Sequence, residues 1–404
     1  MTHLAVALDG FGWHPAAWRR ATHDPAAVFA PGYWAALVAE AEAGLLDLVT
    51  LEDGVGLQSS RHDALDDRVD QVRGRLDAVL VANAVAPLTA RIGIVPTATT
   101  THPEPFHLST AIATLDHVSS GRAGWRPQVS SRSQDAALFG RRTVPTSSLA
   151  GYLVGDPDAV ALVRELFDKA ADGVEVVRRL WDSWEDDAVI RDVATGRFVD
   201  RDRLHYIDFT GERFSVKGPS ITPRPPQGQP PVVTLAHARI PYEFAARAAD
   251  VVLITPQDAA DAARIVAEVR QAEARVGRAG TPLLVLADLL VFLDDADDVA
   301  AARQADLDAL DGTRLTSDAA IRTTTPERLA DELLAWQEAG IAGFRLRPAQ
   351  LPHDLERITR GLVPVLQGRS AFRTRYESDT LRGHLGLARP ACRYAAAGPS
   401  SAAS

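Results

Sequence analysis

The chain has 404 residues, 46% of them hydrophobic and 24% charged, with 53 acidic against 43 basic side chains and a formal net charge of −10. That length and composition give a core that needs no disulfide or metal staple, and they suit one large α/β barrel or two to three average domains. The acidic balance argues against a non-specific nucleic-acid binder, and the single cysteine, Cys392, excludes a disulfide framework or a paired-cysteine metal site.

The chain starts on Leu4–Leu8, which reads as a strand rather than a leader peptide, and no run of about 18 apolar residues follows anywhere. A cytoplasmic protein with no membrane partner is therefore expected. A helical pattern covers Pro31–Ala43. Leu48–Leu51 is the second strand, and an amphipathic stretch runs from Arg73 to Ala86. Arg91–Val95 is the third strand, Pro105–Val118 a helix, and Gly121–Trp125 the fourth strand. A helix is expected over about 158–181. Pro231–Leu235, Val251–Ile254, Leu283–Phe292 and Phe344–Leu346 complete the set of eight strands.

Strands alternating with helices imply βαβ units and a parallel sheet. Eight such units predict an α/β fold of the closed (β/α)₈ TIM-barrel type, and no GxGxxG follows the first strand to favour an open dinucleotide-binding sheet. Two insertions interrupt the rhythm, about 126–156 after strand four and about 184–230 before strand five. Residues 1–387 are expected to form one domain, with 388–404 as a flexible tail rich in Ala, Ser, Gly and Pro.

Five stretches, in order, resemble the bacterial-luciferase-like flavin monooxygenases, in the branch of nitrilotriacetate and dibenzothiophene-sulfone monooxygenases. They are Gly12-Trp-His-Pro-Ala-Ala-Trp-Arg19, Thr97-Ala-Thr-Thr-Thr-His-Pro-Glu-Pro-Phe-His107, Leu115-Asp-His-Val-Ser-Ser-Gly-Arg-Ala-Gly-Trp125, Val174-Glu-Val-Val-Arg-Arg-Leu-Trp-Asp-Ser-Trp184, and Phe214–Gly218 with Pro225–Gly228. The resemblance implies a barrel that takes reduced FMN at its C-terminal mouth, the flavin being supplied by a separate reductase. It implies oxygenation of a small organic substrate through a flavin C4a-hydroperoxide, and a homodimer. The cofactor carries the chemistry in such a protein, so no metal site or catalytic triad is needed.

Barrel active sites are built from strand tips. Asp53, at the tip of strand two, matches the family's acid near the flavin, and the same carboxyl would equally serve as a helix cap. Glu52 is set aside because strand neighbours point to opposite faces. Thr97, Thr99 and Thr100 follow strand three, where Thr99 matches a position at the flavin's edge. His102 is a candidate proton handler, with His107 behind it. His14 is a second candidate, among Phe11, Trp13 and Trp18, a cluster that also suits simple rim packing. Asp116 and His117 fall at a helix end and read as structural.

The phosphate end departs from the family pattern. Where relatives carry Asn and a Val-Thr-Ser run, Trp125 is followed here by Arg126-Pro-Gln-Val-Ser-Ser131. Phe167 and Val163 stand where relatives have Tyr and His, and Thr234-Leu-Ala-His-Ala-Arg239 replaces Gln-Ala-Gly-Ser-Ser. A phosphate dianion needs backbone donors, hydroxyls or guanidinium groups. Arg126, His237, Ala238 and Arg239 are therefore expected as a rebuilt clamp for FMN. Two alternatives stay open: a catalytically degenerate barrel serving as a partner subunit, and an oxidoreductase using the deazaflavin F420.

Overall fold

In a computed structural model, residues 2–22, 24–59, 61, 65–140, 144, 151–152 and 154–395 are described. Eight parallel strands close a barrel: β1 His3–Leu8, β2 Leu48–Leu51, β3 Gly93–Thr99, β4 Arg126–Gln128, then β9 Val233–Leu235, β10 Val251–Ile254, β11 Leu284–Leu293 and β13 Gly343–Pro348. The intervening β5 Val189–Asp192, β6 Arg197–Val199, β7 Phe209–Thr210 and β8 Ser215–Val216 form two small antiparallel ribbons in the second insertion. The neighbour order is β4-β3-β2-β1-β13-β11-β10-β9. The ring closes just below β4, where Trp125 N–H donates to Pro231 O and Val233 N–H to Trp125 O, both at 2.9 Å. The TIM-barrel expectation holds.

Helices pack outside: α1 Pro31–Ala43, α2 Ala78–Val85, α3 Pro105–Val118, α4 Ser133–Phe139, α5 Pro157–Trp181, α6 Arg239–Ala248, α7 Ala259–Val276, α8 Asp297–Asp311 and α9 Pro326–Gln337. Asp77 and Asp156 cap α2 and α5, accepting from Leu80 N–H and Ala159 N–H at 2.9 Å each. None of the described helices is long and apolar enough to cross a membrane.

The barrel interior follows from strand parity. Ala5, Leu48, Val95, Val233, Val251, Leu253 and Leu286 pack inward on Leu381, Leu385 and Leu387, which plug the floor. Gly93 makes room for that plug, because a Cβ there would lie 2.4 Å from Leu381 Cδ1. Their neighbours Leu4, Val6, Val49, Ile94 and Val252 face the helices. Two residues further up, the same inward parity places Thr50, Thr97, Arg126, Asp288 and Arg345. The interior is therefore apolar at its floor and charged toward its mouth.

Several expectations need correction. Strand four lies at 126–128 rather than 121–125, so Arg126 is a strand residue and not a loop residue. A further strand, β12 Ala320–Thr324, continues the wall above β10 by pairing with Leu289–Leu293 of β11. Residues 388–395 are not loose: Arg389 bonds Asp186, Cys392 Sγ donates to Asp182 O, and Tyr394 stacks on His205 at 5.2 Å. Residues 396–404 lie outside the described residues.

Candidate active site at the barrel mouth

The inward parity of β2 ends on Glu52, and this carboxylate, not Asp53, enters the barrel. Arg126 of β4 donates to Glu52 Oε2 and, through Nε, to Thr97 Oγ1 at 2.9 Å. Arg345 of β13 donates to Glu52 Oε1 at 2.9 Å, to Thr50 Oγ1 at 3.0 Å, and to both oxygens of Asp288. Arg347 donates to Asp288 Oδ2 at 2.9 and 2.5 Å and to Asp318 Oδ1 at 2.6 Å. Its guanidinium lies 4.6 Å from the Trp13 ring centroid. Three guanidinium groups and three carboxylates thus form one continuous chain beneath the mouth.

Burial pushes the Glu52 and Asp288 carboxyls up, but the adjoining arginines outweigh it and hold both below the ordinary carboxylate range. Asp318 is also pushed up by burial, yet its bond from Arg347 brings it to about 2. These groups stay ionised and fix each other's positions. Relative to them Asp53 points the other way. It accepts from Gly54 N–H at 2.6 Å and from Ala78 N–H at 2.9 Å, at the start of α2. Its burial outweighs those two bonds and raises its pKa.

Above this layer lies a chamber of two lobes that share Asp53, Gly54, Val55, Arg75 and Gln128. One lobe, about 530 Å³, runs over Thr97 and Thr99 to Val79, Leu80, Leu108 and Phe139. The other, about 550 Å³, is bounded by Asp9, Trp13, Glu52, Gln58, Ser130 and Asp135. Both sizes are typical of small-molecule and cofactor sites. His102 lines a smaller adjoining cavity of about 200 Å³ and stacks on Phe139 with centroids 4.7 Å apart.

The expected site residues do not all converge. Thr97, Thr99 and Asp53 line the chamber. His14 is buried behind Trp13: its Nδ1 accepts from Ala16 N–H at 3.1 Å and its Nε2 meets Asp308 at 3.2 Å. It lines none of the three mouth cavities, and burial lowers its pKa against the pull of Asp308. Arg126, expected with His237 and Arg239, is instead 5% exposed inside the barrel. His237 Nδ1 bonds Thr255 Oγ1 at 2.9 Å, and Nε2 stands 3.6 Å from Asp318.

Arg239 opens α6, whose cap residue Ala238 is extended and gives no side-chain cap. Around the first turn, Glu243 pairs with Arg239 at 2.9 Å, Arg275 at 3.2 Å and Arg164 at 3.5 Å. Three cations against one anion leave this corner positive. The Tyr152 hydroxyl accepts a hydrogen bond from Ile240 N–H. Arg164 and Tyr152 were missed from the sequence, because nothing in their local pattern ties them to a turn nearly ninety residues away. Asp116 is structural, as expected: it accepts from Gln227 Nε2, Gln227 N–H and Ala123 N–H.

Residues 12–340 match the family described as luciferase-like monooxygenase. The chain is 30% identical to N-acetyl-S-(2-succino)cysteine monooxygenase of Bacillus subtilis, covering 97% of this chain and 98% of that protein. It is 30% identical to nitrilotriacetate monooxygenase component A of Aminobacter aminovorans, covering 96% and 97%. Among solved structures, EDTA monooxygenase from Chelativorans sp. BNC1 superposes with a TM-score of 0.80 at 24% identity, over 96% of this chain and 98% of that one. A matched family spanning most of the chain and full-length relatives that are named monooxygenases lead to one assignment: the chain belongs to the bacterial-luciferase-like monooxygenases.

Proposed function

We propose that the protein is an FMNH₂-dependent monooxygenase that oxygenates a small organic substrate and receives its reduced flavin from a separate reductase. The observation that carries this reading is the two-lobed chamber at the C-terminal mouth of a barrel of this family. Its lining fits a flavin's ring edge, with hydroxyls and an amide (Thr97, Thr99, Gln128) facing one lobe. A net-positive corner with an uncapped helix N-terminus lies at the start of α6, outside the lining of both lobes. The relative named component A supports a two-component arrangement by analogy.

A bound reduced flavin supplies the activation of dioxygen and the transfer of one oxygen atom. Thr97, Thr99 and Gln128 would hold the ring's polar edge, and Asp53 would stand beside it. His237, Ala238 and Arg239, with Arg164 and Tyr152, would hold the phosphate. Arg126 takes no part in that clamp; it fixes Glu52 and Thr97 below the chamber. The apolar wall of Val79, Leu80, Leu108 and Phe139 keeps water from the reacting centre.

We assign proton transfer to His102, at the turn before α3. His102→Gln is expected to lower the oxygenation rate about 10²-fold with flavin affinity unchanged. The decisive experiment is an anaerobic calorimetric titration with reduced FMN, oxidised FMN and F420. Micromolar binding of reduced FMN, weakened about tenfold in Arg239→Ala, supports the reading. Tighter binding of F420 would move the protein to the deazaflavin class. A folded sample that binds none of the three would refute the enzyme reading and favour a partner-subunit role.

A further inference from the structure

The second lobe has a chemistry of its own. Its wall carries the carboxylates of Asp9, Glu52, Asp53 and Asp135 against the guanidinium groups of Arg75 and Arg132. Glu52 is answered from below by Arg126 and Arg345, and Asp9 by Arg75 at 3.5 Å. Asp135 has no such answer. It is 5% exposed, its Oδ2 accepts from Ser130 Oγ at 2.6 Å, and its Oδ1 is buried with no hydrogen-bond partner. A buried carboxylate oxygen left this way is costly unless a donor reaches it.

Two further observations point the same way. Gly56 stands across from Asp135, and a Cβ there would come within 2.7 Å of Oδ1, so only a glycine keeps that oxygen clear of a side chain. Gln58 Oε1, on the same wall, is also buried without a partner. Among the described residues, the buried atoms of this wall left without a hydrogen-bond partner are thus two acceptors and one donor, Arg75 Nε. Among the described residues no three His, Cys, Asp or Glu side chains converge to hold one metal ion. Two unanswered acceptors on one wall suit the N–H groups of an organic cation instead.

We propose that this lobe receives the substrate's positively charged nitrogen, an ammonium group seated on Asp135 Oδ1 and Gln58 Oε1 above Trp13. The inference deepens the monooxygenase reading and rests on it only for what happens to the ligand after binding. It sets this chain apart from relatives whose names specify polycarboxylates, since a carboxylate seated there would meet Asp135 with like charge.

The test uses three probes that share a phenyl ring and a two-carbon tether and differ in the charge of the head group: 2-phenylethylammonium, 2-phenylethanol and 3-phenylpropanoate, titrated calorimetrically into the full chain with and without reduced FMN. The expected order is ammonium at least tenfold tighter than alcohol, and alcohol tighter than carboxylate. Asp135→Asn should bring ammonium and alcohol to equal affinity while leaving the alcohol unchanged. Equal binding of all three, preference for the carboxylate, no binding at millimolar concentration, or ammonium preference that survives Asp135→Asn would each overturn the proposal. If that variant does not fold, the wild-type order decides alone. Ammonium selectivity without any flavin binding would bring down the monooxygenase reading and leave this one standing.

Discussion

Asp288 sits where β11 passes the middle of the barrel, 0% exposed, with Arg345 on both of its oxygens and Arg347 on Oδ2. Burying three charges is expensive, and the arrangement survives because every one is paired and hydrogen-bonded. Removing the carboxylate leaves two buried guanidinium groups facing each other across a cavity, with only Glu52 on Arg345 and Asp318 on Arg347 to offset them. Asp288→Ala is therefore expected to cost about 3–5 kcal/mol, read as a lower denaturant midpoint at unchanged slope. A cost below about 1 kcal/mol would mean that water enters the layer and the network is not buried in solution. The same residues show why part of the site was hidden in the sequence. Leu48-Val49-Thr50-Leu51 is buried on both faces, so its alternation carries no hydrophobic signal and the phase has no anchor. Alternation correctly separates Glu52 from Asp53, but only the packing of Leu48 on the floor says that Glu52 is the inward one.

At the scale of elements, legibility followed the strength of the periodic signal. The ends of α1, α3, β2 and β10 fall where the pattern puts them, because apolar runs there meet clear breakers. Strand four was displaced because its inward residues, Arg126 and Gln128, are polar, and a barrel mouth inverts the usual apolar rule. β12, reading Ala-Ile-Arg-Thr-Thr, was missed for the same reason: four of its five residues are only partly buried. The second insertion and the C-terminal segment were read separately, yet Asp186 ties them. It accepts from Arg224 at 2.9 and 3.0 Å and from Arg389 at 2.9 and 2.5 Å. The bonds from Arg389, opposed by burial and aided by Arg224, hold its carboxyl at about 2. A carboxyl whose folded pKa lies below its unfolded one adds stability above about pH 4, and that contribution disappears as pH falls from about 4 to about 2. Asp186→Asn should accordingly reduce stability at pH 7 and leave it unchanged near pH 2. Amide exchange over 388–395 should quicken in the same variant at neutral pH. No change in exchange there would detach the segment from the insertion.

For the whole molecule, the division between a charged mouth and an apolar floor separates function from stability, as the barrel architecture favours. The floor depends on a segment far from the strands it closes. Leu381 is 0% exposed, and it fills the hollow left by Gly93 and by Gly124, whose Cβ would lie 3.1 Å from Leu381 Cδ2. His384 Nε2 meets Arg91 O at 2.7 Å, and Arg382 Nη1 donates to Gln229 O at 2.9 Å, so the short helix over Leu381–His384 is bolted to the barrel's lower rim on both sides of the plug. Leu381→Ala should cost about 2–5 kcal/mol, because the surrounding strands cannot collapse into the space. The mouth lies at the opposite end, so flavin affinity should be unchanged at a temperature where the variant is folded. Gly93→Ala offers the complementary error: the new methyl meets a leucine that has nowhere to move, and overpacking of this kind costs about 1–3 kcal/mol. Combining the two changes should restore part of the loss, since the added methyl then occupies space that Leu381→Ala has vacated. A double variant as unstable as the sum of the singles would show that the two residues do not share one cavity, and that the barrel floor is closed by something other than this plug.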